Sequence, residues 1–202
     1  MSVLLPLFPL DVVLFPGETL PLHIFEDRYR EMIAELLESK QPFGVVRALE
    51  NGVADVGCSA EITSVAKRYE DGRLDIITEG RNRFELLHLD QQRAFLRGQV
   101  DFFADEPGRP GADKIQRLLQ LHGDLLQVLD AEGAPPDADS PVLSFELAAA
   151  LPFALDFKQT LLGLRSEAGR VDALIQYYEN VMPEVARAVR ARKKAGSNGH
   201  GR

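Results

Sequence analysis

Cysteine and long apolar runs are both scarce in this sequence of 202 residues. Cys58 is its single cysteine, which excludes an intramolecular disulfide framework and any zinc site built from CxxC pairs. The longest uncharged apolar run near the middle of the chain, Leu147–Leu155, has nine residues and contains a proline. A membrane-spanning helix needs about 20. The N-terminal apolar run lacks a basic segment and is interrupted by Pro6, Pro9 and Asp11, so it is a poor signal peptide. Together these absences predict a cytoplasmic protein.

Positive charge is also in short supply, because 23 Lys and Arg face 31 Asp and Glu and give a net charge of -8. The balance argues against a protein that binds nucleic acid through bulk charge. Residues 1–106 hold 11 basic and 19 acidic side chains, whereas residues 107–202 hold 12 of each. The hydrophobic periodicity changes at the same place. We therefore predict a β subdomain over 1–106, a helical bundle over 107–195 and a flexible tail over 196–202.

Short apolar runs separated by turn residues predict about seven or eight strands in the first part. Pro16-Gly17 fits a type II turn, and Asp71-Gly72 and Glu50-Asn51-Gly52 are hairpin signals. Prolines inside the early runs indicate strands that lie at sheet edges or bend. Nine apolar runs are the candidates for these strands: Leu4–Leu10, Asp11–Phe15, Glu18–Ile24, Phe43–Leu49, Val53–Cys58, Glu61–Tyr69, Arg73–Glu79, Phe84–Leu89 and Ala94–Phe103.

Apolar residues spaced by three and four predict one helix among the strands and several after them. The first runs over Asp27–Ser39. The others are Asp113–Leu129 with Asp113 as N-cap, a short helix from Ser144 as N-cap to Leu151, Phe157–Arg165 capped by Asp156, and Arg170–Arg192. Pro183 lies inside the last of these, so that helix either kinks or restarts there. The pattern as a whole indicates an α+β protein.

The segment Leu5–Ile33 reads LPLFPLDVVLFPGETLPLHIFEDRYREMI and resembles the opening of the Lon N-terminal domain family. The matching elements are LPLFPL, FPGE, LPLHIFE and RYREM, and a looser likeness continues through most of the chain. The resemblance implies a PUA-like β-barrel subdomain followed by an α-helical bundle, and a role in substrate recognition. Lon proteases continue into ATPase and Ser-Lys protease domains. Because this chain ends at Arg202, we expect neither activity in it.

The motifs that would indicate an enzyme are missing or incomplete. A phosphate-binding GxxxxGK[ST] loop does not occur, so we expect no nucleotide cofactor and action without ATP. The run from Gly57 to Glu61 departs from GxSxG at its last position. The histidines lack helical metal-ligand spacing, so no metal is expected. We predict a non-enzymatic protein, with a small hydrolase using Ser59 or Cys58 as an open alternative.

Without catalytic chemistry, the favoured function is binding of a protein or peptide. An unfolded or extended segment of a partner could dock on an exposed apolar surface or add to an exposed strand edge. The candidate peptide-binding residues, taken from the segment that carries the resemblance, are Phe15, Pro16, Leu22, Phe25, Arg28 and Tyr29.

A second reading places nucleic acid on the basic C-terminal tail. Its cations are Arg187, Arg190, Arg192, Lys193, Lys194 and Arg202. The same charges suit the negative end of a helix dipole, and the net charge of -8 in the β part opposes phosphate. We therefore predict no nucleic-acid partner and no membrane partner, while a homodimer stays open.

Overall fold

The computed structural model describes residues 2–131 and 136–197, without the side chains of Ala186, Arg190 and 192–197. Within these residues the chain forms seven strands and five helices. The strands are β1 (Val3–Leu10), β2 (Thr19–Ile24), β3 (Phe43–Leu49), β4 (Gly52–Val53), β5 (Val56–Arg68), β6 (Leu74–Asp90) and β7 (Arg97–Phe102). The helices are α1 (Asp27–Ser39), α2 (Ala112–Leu129), α3 (Leu143–Ala150), α4 (Leu155–Gly163) and α5 (Glu167–Ser197). None of the helices in this part of the chain is both long and apolar enough to cross a membrane.

The chain divides into two compact units by its internal contacts. Among the described residues, the first unit contains those up to Asp105 together with Ala148–Gly163, and the second contains those between Glu106 and Leu147 and those from Leu164 to Ser197. Residues 148–163 therefore group with the strands, although they follow the predicted boundary. The predicted domain limits of 1–106, 107–195 and 196–202 stay a prediction.

The strands of the first unit close a barrel-like ring that is not evenly round an axis. The first half of β1 pairs antiparallel with β7, and its second half pairs in parallel with β3. The pairs β3–β5, β5–β6 and β6–β7 complete the ring. Strand β2 pairs with the beginning of β6, outside the ring. The architecture confirms the predicted α+β class with a barrel-like β part.

The prolines lie where the ladder does not need their missing N–H. Each half of β1 pairs with a single neighbouring strand, so its other side needs no backbone donors and tolerates Pro6 and Pro9, which lack an N–H. Strand β2, with Pro21, is an edge strand. The predicted strand Asp11–Phe15 is wrong: it is an irregular segment, and its apolar residues serve burial in the core instead of pairing.

Turn chemistry follows the predictions at two sites. The Glu18 N–H donates to the Phe15 carbonyl at 3.1 Å, and Gly17 has φ +80°, as a type II turn requires. Gly72 has φ +87° and closes the turn between β5 and β6. The sequence predicts two strands before this turn and two after it. In the structure each pair is largely one long strand, β5 before the turn and β6 after it, and their pairing has register shifts characteristic of bulges.

The core of the first unit lies inside the ring. Its central cluster consists of Leu5, Leu7, Val46, Phe84 and Val100. Helix α1 has the predicted bounds and buries one face that includes Met32 and Ile33. Helix α4 is tied to the strands by polar contacts, since Gln159 Nε2 donates to the Val56 carbonyl at 2.9 Å and Arg83 Nη1 donates to the Leu162 carbonyl at 2.9 Å.

The second unit is built on the pair α2 and α5, joined by a buried contact of 2.9 Å between His122 Nδ1 and the Tyr178 hydroxyl. A buried polar cluster adds the first residues of α3, because Ser144 Oγ donates to Glu167 Oε2 at 2.7 Å and Arg170 Nη2 donates to the same oxygen at 2.6 Å. The buried guanidinium of Arg170 also donates to the Ser144 hydroxyl and to the Leu164 carbonyl, so one carboxylate and two neutral oxygens satisfy its hydrogen-bond donors.

The predicted helix caps differ from the structure. Gly111, not Asp113, is the N-cap of α2. Ser144 lies inside α3, where its hydroxyl donates to Glu167 Oε2, and Asp156 lies inside α4. Pro183 lies within one continuous helix, α5, so the helix does not restart there.

Candidate functional site

A small three-stranded sheet extends beyond the ring. It consists of β2, the first part of β6 and the second part of β5, and its register places three cross-strand rows of side chains on one face. Side chains that pair directly across strands share a face. The rows are Thr19–Glu79–Glu61, Pro21–Ile77–Ser64 and His23–Asp75–Lys67. These residues are exposed or half-buried, so this is the solvent face of the sheet.

An exposed apolar strip runs along this solvent face. We call it the aromatic strip; its members are Pro21, His23, Phe25, Tyr69 and Ile77. Phe25 is 60% exposed, the highest fraction among the large apolar side chains of the described residues. Its ring stacks on His23 at 5.9 Å, and Tyr69 meets His23 edge-on at 5.8 Å. Pro21 and Ile77 continue the strip in the next row. The surface offers rigid rings to a ligand at little conformational cost.

Asp75 holds two rings of the strip in place. Its Oδ1 lies 2.5 Å from His23 Nδ1, and its Oδ2 accepts a hydrogen bond from the Tyr69 hydroxyl at 2.8 Å. These hydrogen bonds, first that of His23 and then that of Tyr69, hold the pKa of the Asp75 carboxyl below its ordinary value. The carboxylate is therefore ionised at neutral pH and keeps both rings oriented.

Two cations flank the Tyr69 ring. Lys67 Nζ lies 4.4 Å from the ring centroid, and Arg73 Cζ lies 4.9 Å from it. Both distances fall within cation–π range. Arg73 is already paired with a carboxylate, since its Nε lies 2.7 Å from Asp71 Oδ2. One end of the strip therefore combines an aromatic ring with positive charge.

The sequence-predicted residues do not assemble into one surface. Phe25 belongs to the aromatic strip. Leu22 lies on the opposite face of β2, half-buried beside Ile76, and Pro16 is half-buried in its turn.

Two predicted residues belong to the core instead. Phe15 is fully buried, and Tyr29 is 7% exposed and stacks on Phe8 with ring centroids 4.0 Å apart. Arg28 is exposed, with its guanidinium 4.6 Å from the centroid of the Tyr29 ring and its Nε donating to Glu26 Oε2 at 2.9 Å. Phe15 and Tyr29 are thus core residues that a ligand on the surface does not reach.

Sequence reasoning missed the other members of the strip. His23 and Phe25 are two residues apart and so share a face of an extended segment. This spacing can be seen in the sequence and would have placed His23 beside Phe25. Tyr69 and Ile77 reach the strip only through the register of β5 and β6 with β2, which no local pattern contains.

The two candidate nucleophiles are buried. Burial raises the pKa of the Cys58 thiol to about 12, and Cys58 is fully buried. Ser59 is 1% exposed, and its Oγ accepts the Asn82 N–H at 3.0 Å. Neither side chain reaches a substrate in this fold. Among the described residues no three His, Cys, Asp or Glu side chains are grouped so as to hold a metal ion.

Comparison with known proteins shows the family. The profile described as the ATP-dependent protease La (LON) substrate-binding domain matches residues 4–179. The chain belongs to this family.

The chain is similar in sequence to one part of much longer Lon proteases. The chain is 30% identical over 142 residues to the Lon protease of Parabacteroides distasonis, covering 65% of this chain and 17% of that protein. It is 29% identical over 185 residues to Lon protease 1 of Hydrogenovibrio crunogenus, covering 84% of this chain and 23% of that protein. The chain thus spans less than a quarter of each of these proteases.

Solved structures of isolated domains match over nearly their whole length. The crystal structure of a Lon N-terminal domain protein from Xanthomonas campestris superposes with a TM-score of 0.72 at 25% identity and covers 87% of this chain and 98% of that one. The N-terminal domain of a Mycobacterium avium complex Lon protease gives a TM-score of 0.64 at 18% identity, covering 88% of this chain and 98% of that chain, which shows a shared fold.

Proposed function

We propose that this protein is a non-catalytic binding module that holds extended or unfolded segments of other polypeptides on the aromatic strip. The family is one of substrate-binding domains, which supports a protein ligand. The observation that carries the assignment to this surface is the 60% exposure of Phe25 on a rigid platform with His23 and Tyr69. Exposed aromatic residues of this kind are typical binding hot spots.

Docking on the face of the sheet is favoured over strand addition at its edges. Pro21 deprives the free edge of β2 of one N–H. The opposite edge strand, β5, has irregular pairing between Ile62 and Ser64 and between Val65 and Lys67. Bulges and charged side chains are devices that prevent a further strand from pairing. Side-chain contacts on the strip therefore provide the ligand surface.

The alternative nucleic-acid site depends on the basic tail, most of whose side chains lie outside the described residues. Arg187 is described, and its Nε donates to the Pro183 carbonyl at 3.2 Å. The first 106 residues carry -8, which repels phosphate at the β unit. A polypeptide ligand is favoured for this reason. The cytoplasmic location and the open question of a homodimer remain predictions of the sequence.

The test compares Phe25→Ala with Leu87→Ala, which truncates another exposed apolar side chain of the same unit, 54% exposed. Binding of a fluorescent, permanently unfolded polypeptide is measured with each full-length variant. We expect Phe25→Ala to weaken binding about tenfold, as loss of a hot spot does, and Leu87→Ala to change it less than twofold. Equal affinities for the two variants would place the ligand elsewhere.

A further inference from the structure

At the positive end of the aromatic strip, one cation forms no direct ion pair with a carboxylate of the described residues. Lys67 faces Asp75 across the strands, but both Asp75 oxygens are already bonded, one to His23 and one to the Tyr69 hydroxyl. Lys67 takes part in no ion pair among the described residues: its ammonium rests over the Tyr69 ring, and its charge acts on Asp75 only from beyond ion-pair distance. Arg73, the other cation at this ring, is paired with Asp71. The lysine is thus held near the strip with its charge available.

We propose that the strip selects extended segments in which an acidic side chain accompanies a large apolar anchor, the anchor resting on Phe25 and His23 and the carboxylate meeting Lys67. This inference rests on the proposed function and specifies its ligand. Charge complementarity is its basis, because the bound segment would bring a carboxylate into direct ion-pair contact with the Lys67 ammonium.

The geometry sets the spacing within the segment. The ring centroids of Phe25 and His23 are 5.9 Å apart, and those of His23 and Tyr69 are 5.8 Å apart. Lys67 Nζ lies a further 4.4 Å from the Tyr69 centroid. An extended chain rises about 3.3 Å per residue, so the acidic side chain lies no more than about five residues from the anchor.

The overall negative charge does not cancel this preference. Charges farther away than the Debye length, about 8 Å at physiological ionic strength, are largely screened, whereas the contact with Lys67 is direct. An exposed pair of this kind contributes modestly, so the expected preference is about threefold in affinity.

The experiment uses the full chain and two labelled peptides of about twelve residues, built from Gly, Ser and Thr with one Phe and, four residues away, either Glu or Gln. Both peptides have amidated C-termini, so the Glu side chain supplies the one variable carboxylate. We expect the Glu peptide to bind about threefold more tightly, and the preference to vanish in Lys67→Gln and at about 1 M salt. Arg68→Gln is the matched control, because it removes the same charge from the next residue of β5, whose side chain points to the other face.

The outcomes separate this inference from the proposed function. The acidic selectivity is overturned if the two peptides bind the wild-type protein equally, or if the preference for the Glu peptide survives in Lys67→Gln. The proposed binding function still stands in that case if both peptides bind Phe25→Ala more weakly than the wild-type protein. Failure of both peptides and of an unfolded polypeptide to bind the wild-type protein overturns both.

Discussion

Substitution of Gly80 by alanine tests how the turn before β2 is held against β6. A Cβ atom at Gly80 would lie 2.1 Å from the Phe15 carbonyl oxygen and 3.2 Å from Leu14 Cγ. The obstacle is backbone, so the turn has to move. Two backbone hydrogen bonds cross the same contact, from the Gly17 N–H to the Gly80 carbonyl and from the Gly80 N–H to the Glu18 carbonyl, each 2.9 Å long.

The expected cost follows from these contacts. Overpacking costs about 1–3 kcal/mol, and each of the two weakened hydrogen bonds about 0.5–1.5 kcal/mol, so Gly80→Ala should lower the free energy of unfolding by about 2–6 kcal/mol. With a slope of about 2 kcal/mol per molar urea, the unfolding midpoint should fall by about 1–3 M.

Gly17→Ala is the control for this prediction. Gly17 has φ +80° and no atom within 4 Å of the added Cβ, so only backbone strain of about 1–2 kcal/mol is expected there. Urea unfolding followed by circular dichroism measures both variants. If Gly80→Ala costs no more than Gly17→Ala, the close packing of the turn against β6 does not stabilise the protein.

Three further predictions concern burial and helix propensity. Cys58 is buried, so it should react with a thiol reagent only at the rate of unfolding, and rapid labelling of the native protein would contradict this. Its pKa is raised to about 12 in the folded state, so the stability that its neutral thiol contributes should decline as pH rises from about 8.5 toward 12. Burial lowers the pKa of His122, so the unfolded state binds its proton first and stability should fall as pH drops below about 6.5. His122→Gln should flatten that part of the pH profile, and an unchanged profile would refute the assignment. Gly123→Ala, within α2 and with nothing near the added Cβ, should raise stability by about 0.5–1 kcal/mol in thermal unfolding, and a loss would reveal a hidden contact.

Local sequence patterns predicted most of the helices, strands and turns but few residues of the candidate site. The spacing of apolar residues in α1 and the glycines at positions 17 and 72 have local physical causes, so the sequence alone predicts the helix and both turns. Asp11–Phe15 shows the limit, because the same apolar composition suits a paired strand and an unpaired segment buried in the core. Ser144 shows another, since a residue with N-cap chemistry is used by a distant carboxylate, Glu167.

The site depends on long-range register. His23 and Phe25 lie together by local alternation, but the ring of Tyr69 and the ammonium of Lys67 join them only because β5 and β2 flank β6 with a particular alignment. Burial of Phe15 and Tyr29 depends equally on how the barrel closes. Apolar composition in one segment therefore indicated the neighbourhood of the site, while tertiary packing decided which side chains reach solvent.

The most direct measurement is an NMR titration of the isotopically labelled full chain with a permanently unfolded polypeptide. We predict that the largest chemical-shift changes occur at His23, Phe25, Tyr69 and Ile77, with little change at Leu87. Changes concentrated on the backbone amides of the β5 edge, at Leu87 or on the second unit, with the strip unaffected, would contradict it.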